Sequence, residues 1–291
     1  MTPFRFLALV VFAVLALIAG LRLTDAEEKK GRAPVAIAAE NAFFGNFNGG
    51  GPDRSAALRL LMAAYATDPK DARTNLLLGL NHLWIGAEGG RTDPRLIEHL
   101  ILSERFLAEA QRLDPSDRRI PSWLVPVRLA LAGISRDPEK KEEIERELLA
   151  AYAEDPAFHS FTMALLGFDS SRESKDFKRG LEALRTVNPG CAETDPSCRN
   201  EPRWPHNQEG YLTFWADYEL KAGHTDRARE VLTDIRKVPS YASWKYRGEV
   251  EDRLKNLELY ARLYADEDPG NDPPTLMSGE SGFSCQSCHR N

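Results

Sequence analysis

The residues with the clearest chemical signature stand at the end of the chain, where Cys285, Cys288 and His289 form the run Cys-Gln-Ser-Cys-His. Two cysteines at this spacing lie on one face of a helical turn, where each thiol can add to one vinyl group of the same porphyrin. The imidazole that follows is then placed beneath the iron as an axial ligand. The spacing therefore predicts covalent attachment of one c-type haem, with Cys285 and Cys288 as its anchors and His289 as the proximal iron ligand.

Two other uses of these thiols stay open. Cys285 and Cys288 could form a disulfide beside an unrelated histidine, or they could supply half of a zinc site. Zinc is the weaker alternative, because structural zinc takes four ligands and the sequence contains no second Cys-x-x-Cys.

The ligand on the other side of the iron is less constrained. Met277 precedes Cys285 by eight residues, an extended reach of about 27 Å, so its thioether could cross the haem edge. His206, in a loop near the second cysteine pair, is the alternative, and an open or partner-supplied position is a third. Six-coordinate iron suits electron transfer, whereas an open position permits chemistry with O₂, peroxide or NO.

The N-terminus indicates export, because the stretch from Phe6 to Leu21 carries no charge and follows Arg5. Residues 1–26 are predicted to be a signal peptide or a membrane anchor. We favour a retained anchor, since the best cleavage site, at Thr24-Asp25-Ala26, is poor. Either outcome places the body of the protein outside the cytoplasm, in the periplasm, which is the compartment where bacterial c-type haem is attached. A retained anchor would also attach it to the cytoplasmic membrane.

A second cysteine pair fits that compartment. Cys191 and Cys198 flank a short polar stretch that contains a proline, and an oxidising space would join them. We therefore predict a structural disulfide between these two residues, which would contribute about 2.5 kcal/mol by closing a small loop.

The bulk composition narrows the class of protein. The chain has 291 residues, of which 42% are hydrophobic, and a net charge of −6. It is therefore a globular protein of one large or two small domains, and it lacks the excess of Lys and Arg that nucleic-acid binding requires.

Between the two termini the apolar residues recur at helical spacing, which predicts an all-α body. Five segments share a pattern of a first residue, apolar residues four and seven positions later, and a proline that ends the helix at about position twelve. They are Ala57/Leu61/Ala64/Pro69, Ser103/Leu107/Ala110/Pro115, Ile144/Leu148/Ala151/Pro156, Phe177/Leu181/Leu184/Pro189 and Ala228/Leu232/Ile235/Pro239.

This pattern resembles the second helix of a tetratricopeptide repeat, and the match is best from Tyr211 to Pro239. The resemblance implies a right-handed superhelix of antiparallel helix pairs, whose concave surface takes a protein or peptide partner. We expect a spacer at residues 27–51, the repeats at 52–265 with one closing helix at about 243–265, and a linker with the haem-attachment tail at 266–291.

A haem so close to the chain end cannot be wrapped by its own peptide, so it must be covered by the solenoid, a second copy of the chain or a partner protein. We expect an exported monohaem c-type cytochrome that transfers electrons, with the helical body docking redox partner proteins of the cell envelope. A non-redox scaffold, and a haem enzyme or gas sensor with an open sixth position, are the alternatives. We do not expect an enzyme, since no paired-carboxylate or nucleophile-base pattern stands out.

Overall fold

The computed structural model describes residues 31–47, 54–89, 94–194, 208–266, 268 and 271–273, with the backbone alone at 47, 87–89, 157–158 and 187–194. Within these ranges the regular structure is helical and contains no strand. In chain order the α-helices are α1 (Pro34–Phe47), α2 (Arg54–Thr67), α3 (Ala72–Gly89), α4 (Leu96–Leu113), α5 (Ile120–Ser135), α6 (Pro138–Glu154), α7 (Pro156–Gly167), α8 (Lys175–Thr194), α9 (Gln208–Lys221), α10 (Thr225–Ile235), α11 (Arg247–Lys255) and α12 (Leu257–Ala265).

Consecutive helices pack as pairs, and each of the first five pairs ends in a helix that carries the repeated apolar pattern. The central leucine of the pattern is buried in every case, at 6% exposure or less, because it faces the neighbouring helices. These leucines are Leu61, Leu107, Leu148, Leu181 and Leu232. The helix-pair packing is compatible with a helical repeat solenoid.

The pair α3/α4 shows why small residues recur at these interfaces. A Cβ atom on Gly79 would lie 2.6 Å from Cγ of Leu107, and a Cβ atom on Gly86 would lie 3.1 Å from Cβ of His99. Because later positions on α3 meet earlier positions on α4, the two helices are antiparallel. Glycine permits their close approach.

The apolar core follows the same order as the chain. Its buried residues fall into clusters that succeed one another from α1 to α12, and the largest joins α7 to the C-terminal helices. An architecture in which each helix pair buries its face against the next pair produces such a serial core.

Two turns between pairs have the same construction, 46 residues apart in the sequence. Asp68 and Asp114 each end a helix, and the Oδ1 atom of each accepts a hydrogen bond from the backbone amide two residues ahead, at 2.9 and 3.1 Å. Asp71 and Asp117 repeat this contact three residues later, at 3.2 and 3.1 Å. The shared geometry supports an internal repeat independently of the apolar pattern.

Helix α5 contains Pro126, which has no N–H for the carbonyl of Ser122 four residues earlier. The hydroxyl of Thr162, on α7, donates to that carbonyl at 3.2 Å. A side chain from the neighbouring helix pair α7/α8 thus replaces the missing helical hydrogen bond, and α5 continues to Ser135.

The predicted spacer at 27–51 is wrong for residues 34–47, which form α1. Ala36, Ala39 and Phe43 are 4% exposed or less and pack on α2 and α3. Glu40 on the same helix accepts a hydrogen bond from Arg73 Nη2 at 3.0 Å and another from Arg32. This helix closes the N-terminal end of the stack.

Two other helix boundaries differ from expectation. Helix α8 continues past Pro189, so this proline does not end it as predicted. The single closing helix predicted at 243–265 is instead a 3₁₀ turn, Tyr241–Ser243, followed by α11 and α12, which meet at Asn256. Val250, Leu257 and Tyr264 of this segment are at 2% exposure or less, and Leu254 and Ala261 are partly buried.

Candidate functional site

The predicted haem residues lie outside the described part of the chain. Cys285, Cys288, His289 and the distal candidate Met277 all follow residue 273, the last described position. His206 and Cys198 fall within the gap at 195–207, and the side chain of Cys191, in the last turn of α8, is also outside the description. The haem site and the disulfide therefore stay predictions.

The structure does describe the beginning of the segment that carries these residues. Asp272, in the predicted linker, approaches the ammonium of Lys221 at the end of α9, with 3.6 Å between Oδ2 and Nζ. The Lys221 side chain is 7% exposed and that of Asp272 is 17% exposed. Pro273 is buried beside them. The chain at residues 272–273 is thus seated on the body of the protein.

Lys221 sits in a largely apolar environment. Its Nζ donates a hydrogen bond to the carbonyl oxygen of Phe168 at 2.9 Å and lies 5.0 Å from the centre of the Phe168 ring. The Phe168 ring meets the ring of Tyr264 edge-on, with 6.1 Å between their centres. Burial raises the pKa of the Tyr264 hydroxyl well above its usual range. Asp272 places a negatively charged carboxylate beside the ammonium of Lys221.

A compact turn leads from α12 to Asp272. The carboxylate of Asp266 accepts hydrogen bonds from the backbone amide of Asp268 and from Nδ2 of Asn271, both at 2.9 Å. The backbone amide of Asn271 also donates to the carbonyl of Asp268 at 3.2 Å. These contacts tie Asp268 and Asn271 to the end of α12, next in sequence to Asp272.

Of the predicted linker and tail at 266–291 the structure describes residues 266, 268 and 271–273, and Asp272 contacts the helical body. The composition of this stretch contains no sign of the contact, because Lys221 is 51 residues away in the sequence. Only the packing of α9 against α12 brings the two together.

The four histidines within the described ranges are all engaged with other side chains. Nδ1 of His82 lies 3.1 Å from Nδ1 of His99, and the His82 ring stacks on Phe106. Burial, followed in size by the charge of His99, lowers the pKa of His82 to about 4. On α7, His159 is 1% exposed and bonds to the hydroxyl of Ser122.

His224 stands in the turn between α9 and α10. Its Nδ1 lies 2.9 Å from Glu219 and 2.8 Å from Arg185, which itself binds Glu219 through two hydrogen bonds. Burial raises the pKa of the Glu219 carboxyl, but Arg185, together with hydrogen bonds from His224 and Trp215, brings it below its usual value. This cluster joins α8 to α9 and fixes the turn.

A polar groove of about 430 Å³ runs along the turns that follow α2, α4 and α6. Its lining includes Arg73, Asp117, Arg118 and Arg119. Arg119 is bound to Asp117 at 2.7 Å, and Arg73 is bound to Glu40. One ion pair thus lies within the turn after α4, and the other joins α3 to α1.

In the described ranges no group of three or more His, Cys, Asp or Glu side chains could hold a metal ion. Nor does any helix there have the length and apolar character to cross a membrane. The predicted signal or anchor, at residues 1–26, precedes the described ranges.

Comparison with known proteins returned no match to a protein family model, to a curated protein or to a solved structure.

Proposed function

We propose that this protein is an exported c-type cytochrome that carries one haem and transfers electrons. The observation that carries the proposal is the run from Cys285 to His289, whose donors fit the group: two thiols to hold the porphyrin and an imidazole to bind its iron. Each thiol would add its S–H across one vinyl C=C, which forms a thioether without net oxidation. The bound iron would then accept and release one electron.

In this proposal the helical body has a separate task. Paired helices arranged as a right-handed, tetratricopeptide-like superhelix would present an extended face to a redox partner protein of the cell envelope. Residues 1–26 would export the chain and hold it at the cytoplasmic membrane. The haem would lie outside the repeats, on the C-terminal tail.

The test is expression of the full chain together with haem-attachment machinery. We expect the protein to retain haem on a denaturing gel, and Cys285→Ala/Cys288→Ala to lose it. The matched control, Cys191→Ala/Cys198→Ala, should keep the haem because these cysteines serve the disulfide. A colourless native protein, with no Soret absorption, would overturn the proposal and favour a scaffold.

The absorption spectrum of the same haem-loaded protein shows whether the sixth coordination position of the iron is occupied. A low-spin spectrum that does not respond to carbon monoxide supports electron transfer, whereas a high-spin ferric spectrum with a rapid response to cyanide supports a haem enzyme or gas sensor. If Met277 is the distal ligand, Met277→Ala abolishes the methionine-to-iron charge-transfer band. A band that survives excludes this residue.

A further inference from the structure

We propose that Lys221 and Asp272 fasten the start of the C-terminal segment to the end of the helical body, and that Lys221 is thereby a positioning residue for the haem. This inference rests on the proposed function, because it concerns where that function's cofactor can lie. The new element is the role of Lys221 and Asp272, which are far from the attachment motif in the sequence.

The charged side chains of Lys221 and Asp272 are both largely removed from solvent. Lys221 is 7% exposed and lies against Phe168, so its ammonium has lost most of its water. A buried ammonium needs a counter-charge or several hydrogen bonds. The carbonyl of Phe168 provides one hydrogen bond, and Asp272 provides the charge.

The surroundings of Asp272 act on its negative charge in opposite senses. Burial raises the pKa of its carboxyl, Lys221 acts in the opposite sense, and the nearby Asp266 and Asp169 add repulsion. Lys221 is therefore the principal attraction that holds this carboxylate. Burial of Pro273 and the turn built on Asp266 add contacts that do not depend on charge.

The contact at residues 272–273 also limits the length of chain that leads to the haem-attachment cysteines. Cys285 follows Pro273 by 12 residues, so the fastening confines it to within about 40 Å of that point. Counted from the end of α12 at Ala265, the chain would be 20 residues long and would reach about 70 Å. The fastening therefore shortens the tether and raises the effective concentration of the haem near the C-terminal helices about twofold.

The fastening itself can be tested without haem, in the Cys285→Ala/Cys288→Ala protein. Hydrogen exchange is measured in the peptide from Asp266 to Pro273. Asp272→Lys places a second cation beside Lys221 and should speed exchange about tenfold or more, since the local contacts open. Asp272→Asn removes the charge but keeps an oxygen for Lys221, so it should also speed exchange, by a smaller factor than Asp272→Lys.

Two further variants separate local release from unfolding. Pro273→Glu places a charge at a buried position while Lys221 and Asp272 are kept, and it should speed exchange in the same peptide. The matched control is Asp234→Lys, because Asp234 forms an ion pair with Lys237 in which the side chains are 57% and 74% exposed. This control should leave the exchange of the peptide unchanged.

The effect of the Lys221–Asp272 contact on the position of the haem is measured in the haem-loaded protein. A nitroxide at Arg262→Cys on α12, in a Cys191→Ser/Cys198→Ser background, reports its distance to ferric iron by pulsed electron paramagnetic resonance. We expect a confined distribution, because Cys285 lies within about 40 Å of Pro273; it should broaden most in Asp272→Lys and less in Asp272→Asn. A label at Met62→Cys on α2 should report a longer mean distance.

The two proposals fail in different ways. If the protein binds no haem but the exchange pattern holds, the proposed function fails and the fastening stands. If haem is bound but neither exchange nor the distance distribution responds to Asp272→Lys and Pro273→Glu, the positioning role of Lys221 and Asp272 is overturned.

Discussion

The hydroxyl of Thr162 donates a hydrogen bond to the backbone carbonyl of Ser122 at 3.2 Å, and this is the carbonyl that Pro126 leaves without its helical partner. Both Thr162 and Ser122 are 5% exposed. A proline inside a helix ordinarily ends or kinks it, because one backbone bond is lost. Here a side chain from the next helix pair replaces that bond, so the irregular helix α5 and its neighbour α7 depend on each other.

We therefore expect Thr162→Val to lower the free energy of unfolding by about 1 to 3 kcal/mol, since a buried carbonyl loses its donor while the shape of the side chain is kept. Urea denaturation measures the change. Thr233→Val is the matched control, because the Thr233 hydroxyl bonds a carbonyl on an exposed helix surface at 2.7 Å. Its effect should stay within about 0.5 kcal/mol.

A double-mutant cycle tests the cause. In Pro126→Ala the restored N–H can bond to Ser122, so adding Thr162→Val should cost less than it does in the parent chain. Equal costs in the two backgrounds would contradict the interpretation.

A second prediction concerns Asp217 and Arg253, which join α9 to α11. The guanidinium donates to both carboxylate oxygens, at 2.7 and 3.0 Å, and both side chains are 1% exposed. Asp217→Asn should destabilise the protein by about 3 kcal/mol, because it removes the carboxylate that neutralises a buried guanidinium, whereas the Glu249 partner is 46% exposed. Asp234→Asn, in an exposed pair, should change the free energy of unfolding by less than about 1 kcal/mol. Similar urea midpoints for the two variants would refute the argument.

A third prediction separates a packed first helix from a spacer. Phe43 is 3% exposed on α1, and its ring meets that of Phe44 edge-on with 5.3 Å between the centres. Phe43→Ala should lower the free energy of unfolding by about 3 to 5 kcal/mol through the cavity that it leaves. Asn41→Ala, at an exposed position of the same helix, should be nearly neutral. A spacer would tolerate both changes equally.

A fourth prediction is a pH dependence. The folded pKa of His82 is about 4, below the ordinary value of 6.5, because burial and His99 disfavour its charged form. The unfolded chain thus binds the extra proton between these values. The contribution of neutral His82 is fully present above pH 6.5 and is lost as the pH falls towards 4, by about 3 kcal/mol at most.

His82→Phe keeps a ring stacked on Phe106 and removes this titration. The loss of unfolding free energy between pH 7 and pH 4 should be smaller in the variant than in the parent protein, as measured by urea denaturation at each pH. An identical pH dependence would exclude His82 as the source.

The apolar spacing alone predicted most of the helices correctly, because a buried helix must repeat its apolar residues every three or four positions. Leu61, Leu107 and Leu232 are all fully buried, as their positions in the pattern indicate. The pattern misjudged α1, since Asn and Gly residues near its end suggested a spacer. It also misjudged the chain at Pro189, because a proline weakens a helix but does not always end it.

The sequence by itself determined what lies within a few residues: the Cys-x-x-Cys-His spacing from Cys285 to His289, which predicts haem attachment, the helical periodicity and the turn signals. Such features need only local geometry. The tertiary structure decided the contacts between distant positions, namely Thr162 with Ser122, Asp217 with Arg253, and Lys221 with Asp272. These pairs depend on how helices stack, and stacking places residues 36 to 51 positions apart against one another, which no local pattern encodes.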